Sequence, residues 1–546
     1  MKKNISIFAL ITILFTLSAC SGGHKHTFYD EWNYDDEYHW HDASCEHEDV
    51  VGNKGKHQGE YVIVEPTIRE DGYKYLACSI CGYRMSGDEP TGDRATGTVD
   101  KLEFVLNEEE DEYAVKCLDN TIIGEVIIPA AYKNLPVTSI AKQGFYQCPN
   151  ITSVTIPNSI KTIEESAFFY CLSLRTVLFD TGSLLNKIED FAFLHCPSLK
   201  NINLPNSLSY IGKQALQECG FSSINLPNNI TVISVGLFHS CISLTSIKIP
   251  NGVTTIESEA FAKCNSLSSV TLPEGITKID NLAFSYCNSL TYIAIPDSVS
   301  ELGEGVFSHS EKLDRITLPS NVKNIPNSLF NGCKGLTSVA FSSIETIGDY
   351  AFLNCSSLVS LSEIPNTIEE VGVDAFKGCE EISVKVFDNG EYLGNSQNPY
   401  LVLIRPLSSV KVNNFTSIVT HDNCKIIAGG VFCDYYYLEN ASISSSIKYI
   451  GKMAFLGSKL TTFTFPEGVK VINGSVLSSC FSLLEINIPS TVTFIASHAF
   501  SSCEALAKIV YNGTKQEWYN IEKEDYWNNN GPKLHLVQCS DGDTTM

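Results

Sequence analysis

The feature that most constrains this chain is a repeat of about 23 residues that begins near residue 135. Two successive copies, residues 244–266 and 267–289, have the same apolar positions throughout. One aromatic position marks fifteen copies, with phenylalanine in thirteen and leucine in two: Phe145, Phe168, Phe193, Leu216, Phe238, Phe261, Phe284, Phe307, Phe330, Phe352, Phe376, Phe432, Phe455, Leu477 and Phe500. A unit this short cannot bury its apolar residues alone, so the copies must stack on one another.

Each copy predicts a strand followed by a tighter segment. Ile247 and Ile249 are two residues apart, as on the buried face of a strand, and Pro250 ends it because proline cannot donate to a ladder. Phe261 and Cys264 have the spacing of an inward-facing turn or short helix. We therefore expect a β-rich repeat solenoid with one short strand plus a turn or short helix per coil. Fifteen coils at about 4.8 Å each would form a rod roughly 70 Å long.

The repeat explains most of the 20 cysteines. Twelve occupy a single repeat position: Cys148, Cys171, Cys196, Cys219, Cys241, Cys264, Cys287, Cys333, Cys355, Cys379, Cys480 and Cys503. Ser310 and Ser458 stand at this position in two other copies, a substitution that a disulfide framework would not tolerate. These thiols are therefore expected to be small buried core residues. Disulfides between adjacent coils are the alternative.

The pattern L-x-x-I-x-[IL]-P-x-x-[VI]-x-x-I-x-x-x-A-F-x-x-C over residues 135–510 resembles the BspA-like subclass of leucine-rich repeats, which is common in bacterial surface proteins. Residues 387–404 resemble an insert that interrupts such arrays, and residues 510–542 resemble their closing segment. The resemblance implies a surface protein that adheres to other proteins, and it implies no enzymatic activity.

The N-terminus is typical of an exported lipoprotein. Lys2 and Lys3 precede an apolar run of 15 residues, 5–19, which is shorter than the roughly 20 residues that span a bilayer. The ending L-S-A-C resembles a lipobox and predicts that Cys20 is acylated. Lipid anchoring at the cell surface would then be the only contact with the membrane.

The expected organisation follows from these features. The predicted segments are a signal peptide (1–19), a lipidated tether (20–23), a small Cys/His module (24–90), a linker and N-terminal cap (91–134), leucine-rich repeats (135–386), an insert (387–423), further repeats (424–509) and a C-terminal cap (510–546).

The 24–90 module contains six of the 12 histidines and a C-x-x-C-G motif at Cys78 and Cys81. Together with Cys45 and His47, these two cysteines would form a Cys₃His set for a structural zinc ion, with His57 as the substitute fourth ligand. The module also resembles small Cys/His modules repeated in surface proteins of anaerobic bacteria. Those modules often carry one more cysteine, and here Ile68 occupies that neighbourhood. A disulfide among the three cysteines, or free thiols with exposed histidines, are the alternatives.

The composition excludes several classes of function. A net charge of −24 argues against nucleic acid and anionic lipid as partners, because both require basic patches. No P-loop, G-x-S-x-G, G-x-G-x-x-G or H-E-x-x-H motif is present, and His195, His239 and His309 are expected on surface turns. We therefore expect a binding protein. An enzyme with a metal site in the N-terminal region is the least favoured alternative.

The expected partners are a host or microbial surface protein or matrix, with a glycan-binding or glycan-uptake accessory role as the alternative. The predicted contact surface is a strip of outward residues, one per strand, that includes Thr271, Ala294 and Thr317. Solenoids bind along extended faces, so such a flat strip suits a long contact. The insert at residues 387–423 is the second candidate for the contact surface.

Overall fold

The computed structural model describes residues 33–34, 37–42, 51–64, 72–79, 84–85, 89–92, 99–529 and 536–544. The chain divides into two compact units, residues 1–100 and 101–546. The predicted signal peptide and Cys20 lie outside the described residues. Within the part of the chain that the structure describes, no helix has the length and hydrophobicity needed to cross a membrane.

The described residues of the first unit form two antiparallel three-stranded sheets. The first sheet consists of Asn33–Tyr34, Tyr38–Asp42 and Val51–Lys56, and the second of Gly59–Val64, Gly72–Cys78 and Glu89–Gly92. Side chains alternate along Tyr38–Asp42, as a strand requires. His39 and His41 are buried on one face, whereas Lys54 Nζ on the other face lies 5.0 Å from the ring centroid of Tyr38 and 5.3 Å from that of Trp40.

The second unit is the predicted β-solenoid, with about 17 turns. Each typical coil contains two short strands, such as Ser246–Lys248 and Thr255–Ile256, and both pair in parallel with the next coil. The second strand adds to the expected single strand. It forms where Ile256 points into the core and the extended backbone at Thr255 and Ile256 pairs with the coils on both sides.

We call the column of first strands ladder A. Its strands are Gly124–Ile127, Ile151–Ile156, Thr176–Phe179, Asn201–Ile202, Ser246–Lys248, Ser269–Thr271, Arg315–Thr317, Ser338–Ala340, Ser360–Leu361, Ser417–Val419, Asn440–Ser442, Thr462–Thr464, Glu485–Ile488, Lys508–Tyr511 and Val537–Cys539, with Gly542–Thr544 antiparallel at the end.

We call the column of second strands ladder B. Its strands are Leu102–Leu106 (antiparallel), Tyr113–Cys117, Leu135–Ile140 with its antiparallel partner Ala131–Tyr132, Thr162–Ile163, Lys187–Ile188, Tyr210–Ile211, Val232–Ile233, Thr255–Ile256, Lys278–Ile279, Glu301–Leu302, Asn324–Ile325, Thr346–Ile347, Glu370–Val371, Ile426–Ile427, Tyr449–Ile450, Val471–Ile472, Phe494–Ile495 and Glu522–Lys523.

The A-F-x-x-C segment of each coil is a turn and not a helix. Its backbone passes twice through the left-handed region, for example at Glu259 (φ 58°) and Lys263 (φ 60°), which a continuous right-handed helix does not allow. Among the described residues, the only α-helix is Lys515–Asn520, which begins with a capping box between Thr514 and Glu517. Val99–Lys101 and Val412–Asn414 are short 3₁₀ helices.

The turns form a third column of contacts between coils. The Phe261 amide donates to the Ala283 carbonyl at 2.8 Å, and the ring centroids of Phe261 and Phe284 lie 5.2 Å apart in parallel planes. The same stacking joins Phe238 to Phe261 at 5.2 Å. Every coil therefore shares one continuous apolar core with its neighbours, as the repeat predicted.

The cysteine column has the core role predicted for it. Cys264 and Cys287 are buried free thiols, and their Sγ atoms donate to the Phe238 and Phe261 carbonyls at 3.0 and 3.3 Å. Ser310 makes the equivalent bond, from its Oγ to the Phe284 carbonyl at 2.8 Å, which explains why serine replaces cysteine here.

The insert adds a meander to the wall of the solenoid without interrupting the stack. Lys385–Phe387, Gly390–Leu393 and Val402–Pro406 form an antiparallel meander whose last strand pairs in parallel with Ile426–Ile427 of ladder B. The coil that follows the insert contacts the coil that precedes it, because the Gly429 amide donates to the Val371 carbonyl at 3.0 Å. The meander therefore joins the wall of the solenoid, and most side chains of its second and third strands are buried in the shared core.

Candidate functional site

The three strip residues predicted from sequence are all exposed. Thr271 ends the ladder A strand Ser269–Thr271, and Thr317 ends Arg315–Thr317. Ala294, between them, lies in a segment that forms no strand, so the expectation of a continuous sheet through this position is wrong. Coil 290–296 bonds to its neighbour through the Thr291 carbonyl, which accepts from the Asp314 amide at 3.0 Å, and the strand pairing stops there.

The outward face of ladder A is mostly uncharged. Between Ser246 and Ala340 its charged outward residues are Lys248 and Arg315. Two apolar members were missing from the sequence-based strip. Leu178 and Val419 occupy the outward position and are 48% and 45% exposed. Their place in the repeat could have identified them, because each stands midway between the inward positions of its coil.

The outward face of ladder B carries pairs of charged side chains among uncharged ones. Lys187 Nζ lies 2.7 Å from Glu189 Oε1, and Lys278 Nζ lies 3.4 Å from Asp280 Oδ2 and 3.9 Å from Glu301 Oε2. These pairs connect side chains within a coil and between neighbouring coils. Exposed pairs of this kind contribute little to stability, about 0–1 kcal/mol each.

Several acidic residues beside ladder B cap backbone amides. Asp190 Oδ1 accepts from the Lys213 amide at 2.8 Å, Glu257 Oε2 from the Val235 amide at 3.0 Å, and Asp349 Oδ1 from the Val373 amide at 2.7 Å. In each case the carboxylate belongs to an adjacent coil. These carboxylates are therefore not merely solvated, because the left-handed turns leave amides that need an acceptor.

The solenoid histidines lie on turns, as predicted. His195 has a left-handed backbone (φ 59°), and its Nδ1 contacts the Glu218 carboxylate. His239 Nδ1 is 3.1 Å from Ser240 Oγ, but its Nε2 is 3.7 Å from Glu259 Oε2. That last distance is too long for a hydrogen bond, so the carboxylate does not orient the ring as a catalytic triad requires.

The N-terminal unit brings together part of the predicted zinc set. Cys78 and His57 are described, whereas Cys45, His47 and Cys81 lie outside the described residues. One further residue, His39, joins them, and the ligand atoms of His39, His57 and Cys78 all lie within 4.8 Å of one another. Sequence reasoning missed His39 because its sequence distance from Cys78 gives no sign of proximity. The alternation Y-H-W-H, which buries one histidine face, was the available signal.

The match to a family model decides the classification of the solenoid. The model described as "BspA type Leucine rich repeat region" matches residues 176–291, 254–383 and 409–529, in six copies and over more than half of the chain. The chain belongs to the BspA-type leucine-rich-repeat family. The two-stranded coil, the stacked phenylalanines and the cysteine column described above are therefore the form that BspA-type repeats take in this chain.

Solved leucine-rich-repeat structures cover most of this BspA-type chain at low identity. A leucine-rich repeat protein from Bacteroides ovatus is 23% identical over 72% of this chain and 94% of its own length, with a TM-score of 0.46. A leucine rich cell surface protein from Faecalibacterium prausnitzii is 24% identical over 80% and 99%, with a TM-score of 0.35. The pneumococcal vaccine antigen PcpA is 18% identical over 79% and 97%, with a TM-score of 0.34. No curated protein matches the chain.

Proposed function

We propose that this protein is an exported lipoprotein that binds a surface or matrix protein along the outward face of ladder A. The observation that carries the proposal is the contrast between the two ladders. Ladder A presents mostly small uncharged side chains, together with exposed Leu178 and Val419, in a row that follows the stack. A long face of this kind suits many weak contacts whose combined affinity grows with the number of coils engaged.

The charge of the chain supports a protein partner over nucleic acid. The net charge is −24, and the carboxylates beside ladder B are engaged with lysines and backbone amides of the solenoid. Ladder A has few basic outward residues, such as Lys248 and Arg315, and therefore lacks the basic cluster that phosphate recognition requires. Burial of its apolar members against a partner is the favourable interaction that remains.

A glycan partner is the second candidate, and one structural feature favours it. Exposed tyrosines stack on histidines along the turn column: Tyr170 on His195 with ring centroids 4.1 Å apart, and Tyr286 on His309 at 4.6 Å. The Glu218 carboxylate contacts His195. Aromatic faces beside carboxylates are a common way to hold a sugar ring, so this column is the place where a glycan would bind.

The test is binding of the full chain to purified extracellular-matrix proteins and to bacterial surface extracts, each extract treated with protease or with periodate. We expect binding that protease abolishes and periodate leaves intact. Binding that periodate abolishes would replace the protein partner with a glycan. Absence of binding to every sample would contradict the adhesion proposal.

The anchor is proposed from the L-S-A-C sequence, with Cys20 as the acylated residue. Acylation contributes about 0.8 kcal/mol per buried CH₂, so multiple acyl chains hold a protein stably at a membrane. Cys20→Ala should shift the protein from the membrane fraction to the soluble fraction or leave it unprocessed. Wild-type fractionation and processing of this variant would contradict the anchor.

A further inference from the structure

We propose that His39, His57 and Cys78 bind one Zn²⁺ ion that joins the two small sheets of the N-terminal unit. His39 lies on the first sheet, Cys78 ends a strand of the second, and His57 belongs to the link between them. The three ligand atoms lie within 4.8 Å of one another, so a single ion can contact them all. The proposal is independent of what the solenoid binds.

The distance between Cys78 and His39 matches tetrahedral zinc. Cys78 Sγ lies 3.6 Å from His39 Nδ1. Zinc binds thiolate at about 2.3 Å and imidazole nitrogen at about 2.0–2.1 Å, and the tetrahedral angle then separates these two atoms by about 3.6 Å. The rings of His39 and His57 have centroids 5.5 Å apart and planes inclined by 53°, so the two imidazoles do not stack face to face. Cys78 and His39 therefore need little movement to close on the ion, and the ligand atom of His57 lies within 4.8 Å of both.

Backbone pairing holds two of the ligands at the junction of the sheets. His39 pairs with Gly55, near the end of the first sheet's last strand, and Cys78 pairs with Gly59, the first residue of the second sheet. A Cβ on Gly55 would lie 3.4 Å from His39 Nε2, so the absent side chain leaves room for the ring. Both ligands thus face the link between the sheets.

The link, residues 57–58, forms backbone hydrogen bonds with both sheets' ligand strands or the residues next to them. The His57 amide donates to the Glu37 carbonyl at 3.2 Å, immediately before the strand that contains His39. The Gln58 carbonyl accepts from the Ser79 amide at 2.9 Å, immediately after Cys78. His57 is therefore positioned between the other two ligands by bonds independent of any metal.

The donor set favours zinc over other cations. Two imidazole nitrogens and one thiolate suit Zn²⁺, whereas Ca²⁺ and Mg²⁺ require oxygen ligands. His39 and Cys78 are each only 2% exposed, which places the ion in the interior of the unit. Three-stranded sheets have little core of their own, and small domains frequently depend on a metal for stability.

Elemental analysis of the full chain, purified without added metal, tests the proposal. We expect about one zinc ion per chain, bound by three protein ligands. His39→Ala, His57→Ala and Cys78→Ser should each weaken zinc binding by more than about 100-fold, because even changes beyond the ligands cost about 10–100-fold. His41→Ala is the matched control: His41 is buried on the same face of the same strand but lies outside the cluster.

Cobalt substitution separates loss of a ligand from loss of folding. Wild-type protein with Co²⁺ should show tetrahedral visible bands and a thiolate-to-cobalt charge-transfer band. Cys78→His should keep the visible bands and lose only the charge-transfer band. Hydrogen exchange of Gly59–Val64 and Gly72–Cys78 establishes whether each variant remains folded.

Three results would overturn the site. The first is absence of zinc and of the cobalt bands in the wild type. The second is a disulfide at Cys78, detected by mass spectrometry. The third is unchanged zinc affinity in a folded His39→Ala or His57→Ala variant.

Discussion

The two faces of the solenoid differ although they cover the same core. Outward residues of ladder B carry charges that pair with each other, as Lys187 does with Glu189, and neighbouring carboxylates such as Asp190 cap turn amides. Outward residues of ladder A, such as Thr271 and Thr317, are small, uncharged and exposed. The ion pairs and amide caps of ladder B thus stabilise the fold, whereas the small residues of ladder A remain accessible to a partner. Mutations in a surface that stabilises the solenoid should change its free energy of unfolding. Mutations in a surface that binds a partner should change only the affinity for that partner.

The largest loss of stability is expected from mutations in the core that lies beneath both ladders. Phe261 is fully buried and stacks between Phe238 and Phe284. Phe261→Ala should lower the free energy of unfolding by about 3–5 kcal/mol, because it removes a buried ring and leaves a cavity. Chemical denaturation measures this. Phe261→Leu is the matched control, since Leu216 fills the same position in another coil, and its cost should be clearly smaller. Equal costs would show that ring stacking does not hold the coils.

The cysteine column should make the solenoid labile in alkali. Burial raises the pKa of Cys241 and of Cys333 to about 12, against an ordinary value of 9.0. The unfolded chain therefore loses these protons first, so stability is complete below pH 9 and falls as the pH rises toward 12. At pH 10 each such thiol should reduce the free energy of unfolding by about 1.4 kcal/mol relative to neutral pH.

Serine variants isolate this effect from the titration of other groups. Cys241 Sγ donates to the Leu216 carbonyl and Cys333 Sγ to the Phe307 carbonyl. Ser310 makes the equivalent bond with its hydroxyl, so Cys241→Ser and Cys333→Ser should remain folded. The double variant should lose less stability between pH 7.5 and pH 10 than the wild type does. An identical pH dependence would mean that the column is oxidised or open to solvent.

A smaller effect is expected from the amide caps beside ladder B. Asp190→Ala removes the acceptor of the Lys213 amide and should cost about 1–2 kcal/mol in the free energy of unfolding. Asp190→Asn keeps an acceptor, as Asn281 does for the Glu304 amide at 2.8 Å, and should cost less. If alanine and asparagine have the same effect, the charge and not the hydrogen bond is what matters there.

Most of the fold was predictable from the sequence because the same apolar positions recur in every copy of the repeat. One copy of V-x-x-I or A-F-x-x-C is ambiguous between strand, turn and helix, but fifteen stacked copies permit only a coil that is compatible with its neighbours. The second strand at positions such as Thr255–Ile256 was not predicted, because two residues are too few for a periodic signal. The left-handed residues of the turns were missed because they include Glu259 and Lys263, which have no intrinsic preference for that conformation.

The candidate sites were less predictable, since they depend on contacts between distant residues. The break in ladder A at Ala294 leaves no trace in a copy that otherwise follows the pattern. In the N-terminal unit, C-x-x-C spacing indicated Cys78, but His39 belongs to a different sheet and approaches Cys78 only in the folded unit. Repeated copies allow the local structure to be predicted from a shared pattern. A site that forms only once in the chain offers no second copy for comparison.

The most direct test of the account is to place the same charges on the two faces and compare binding. Thr271→Glu, Ala294→Glu and Thr317→Glu together change three outward positions on the ladder A side. Thr231→Glu, Thr254→Glu and Thr277→Glu change three exposed residues on successive coils beside ladder B. Each exposed substitution should alter stability by no more than about 0.5 kcal/mol, so both variants should fold. The account predicts that the ladder A variant loses binding to the protein partner and that the ladder B variant keeps it. Retained binding by a folded ladder A variant would contradict it and would make the meander at 385–406 the leading candidate.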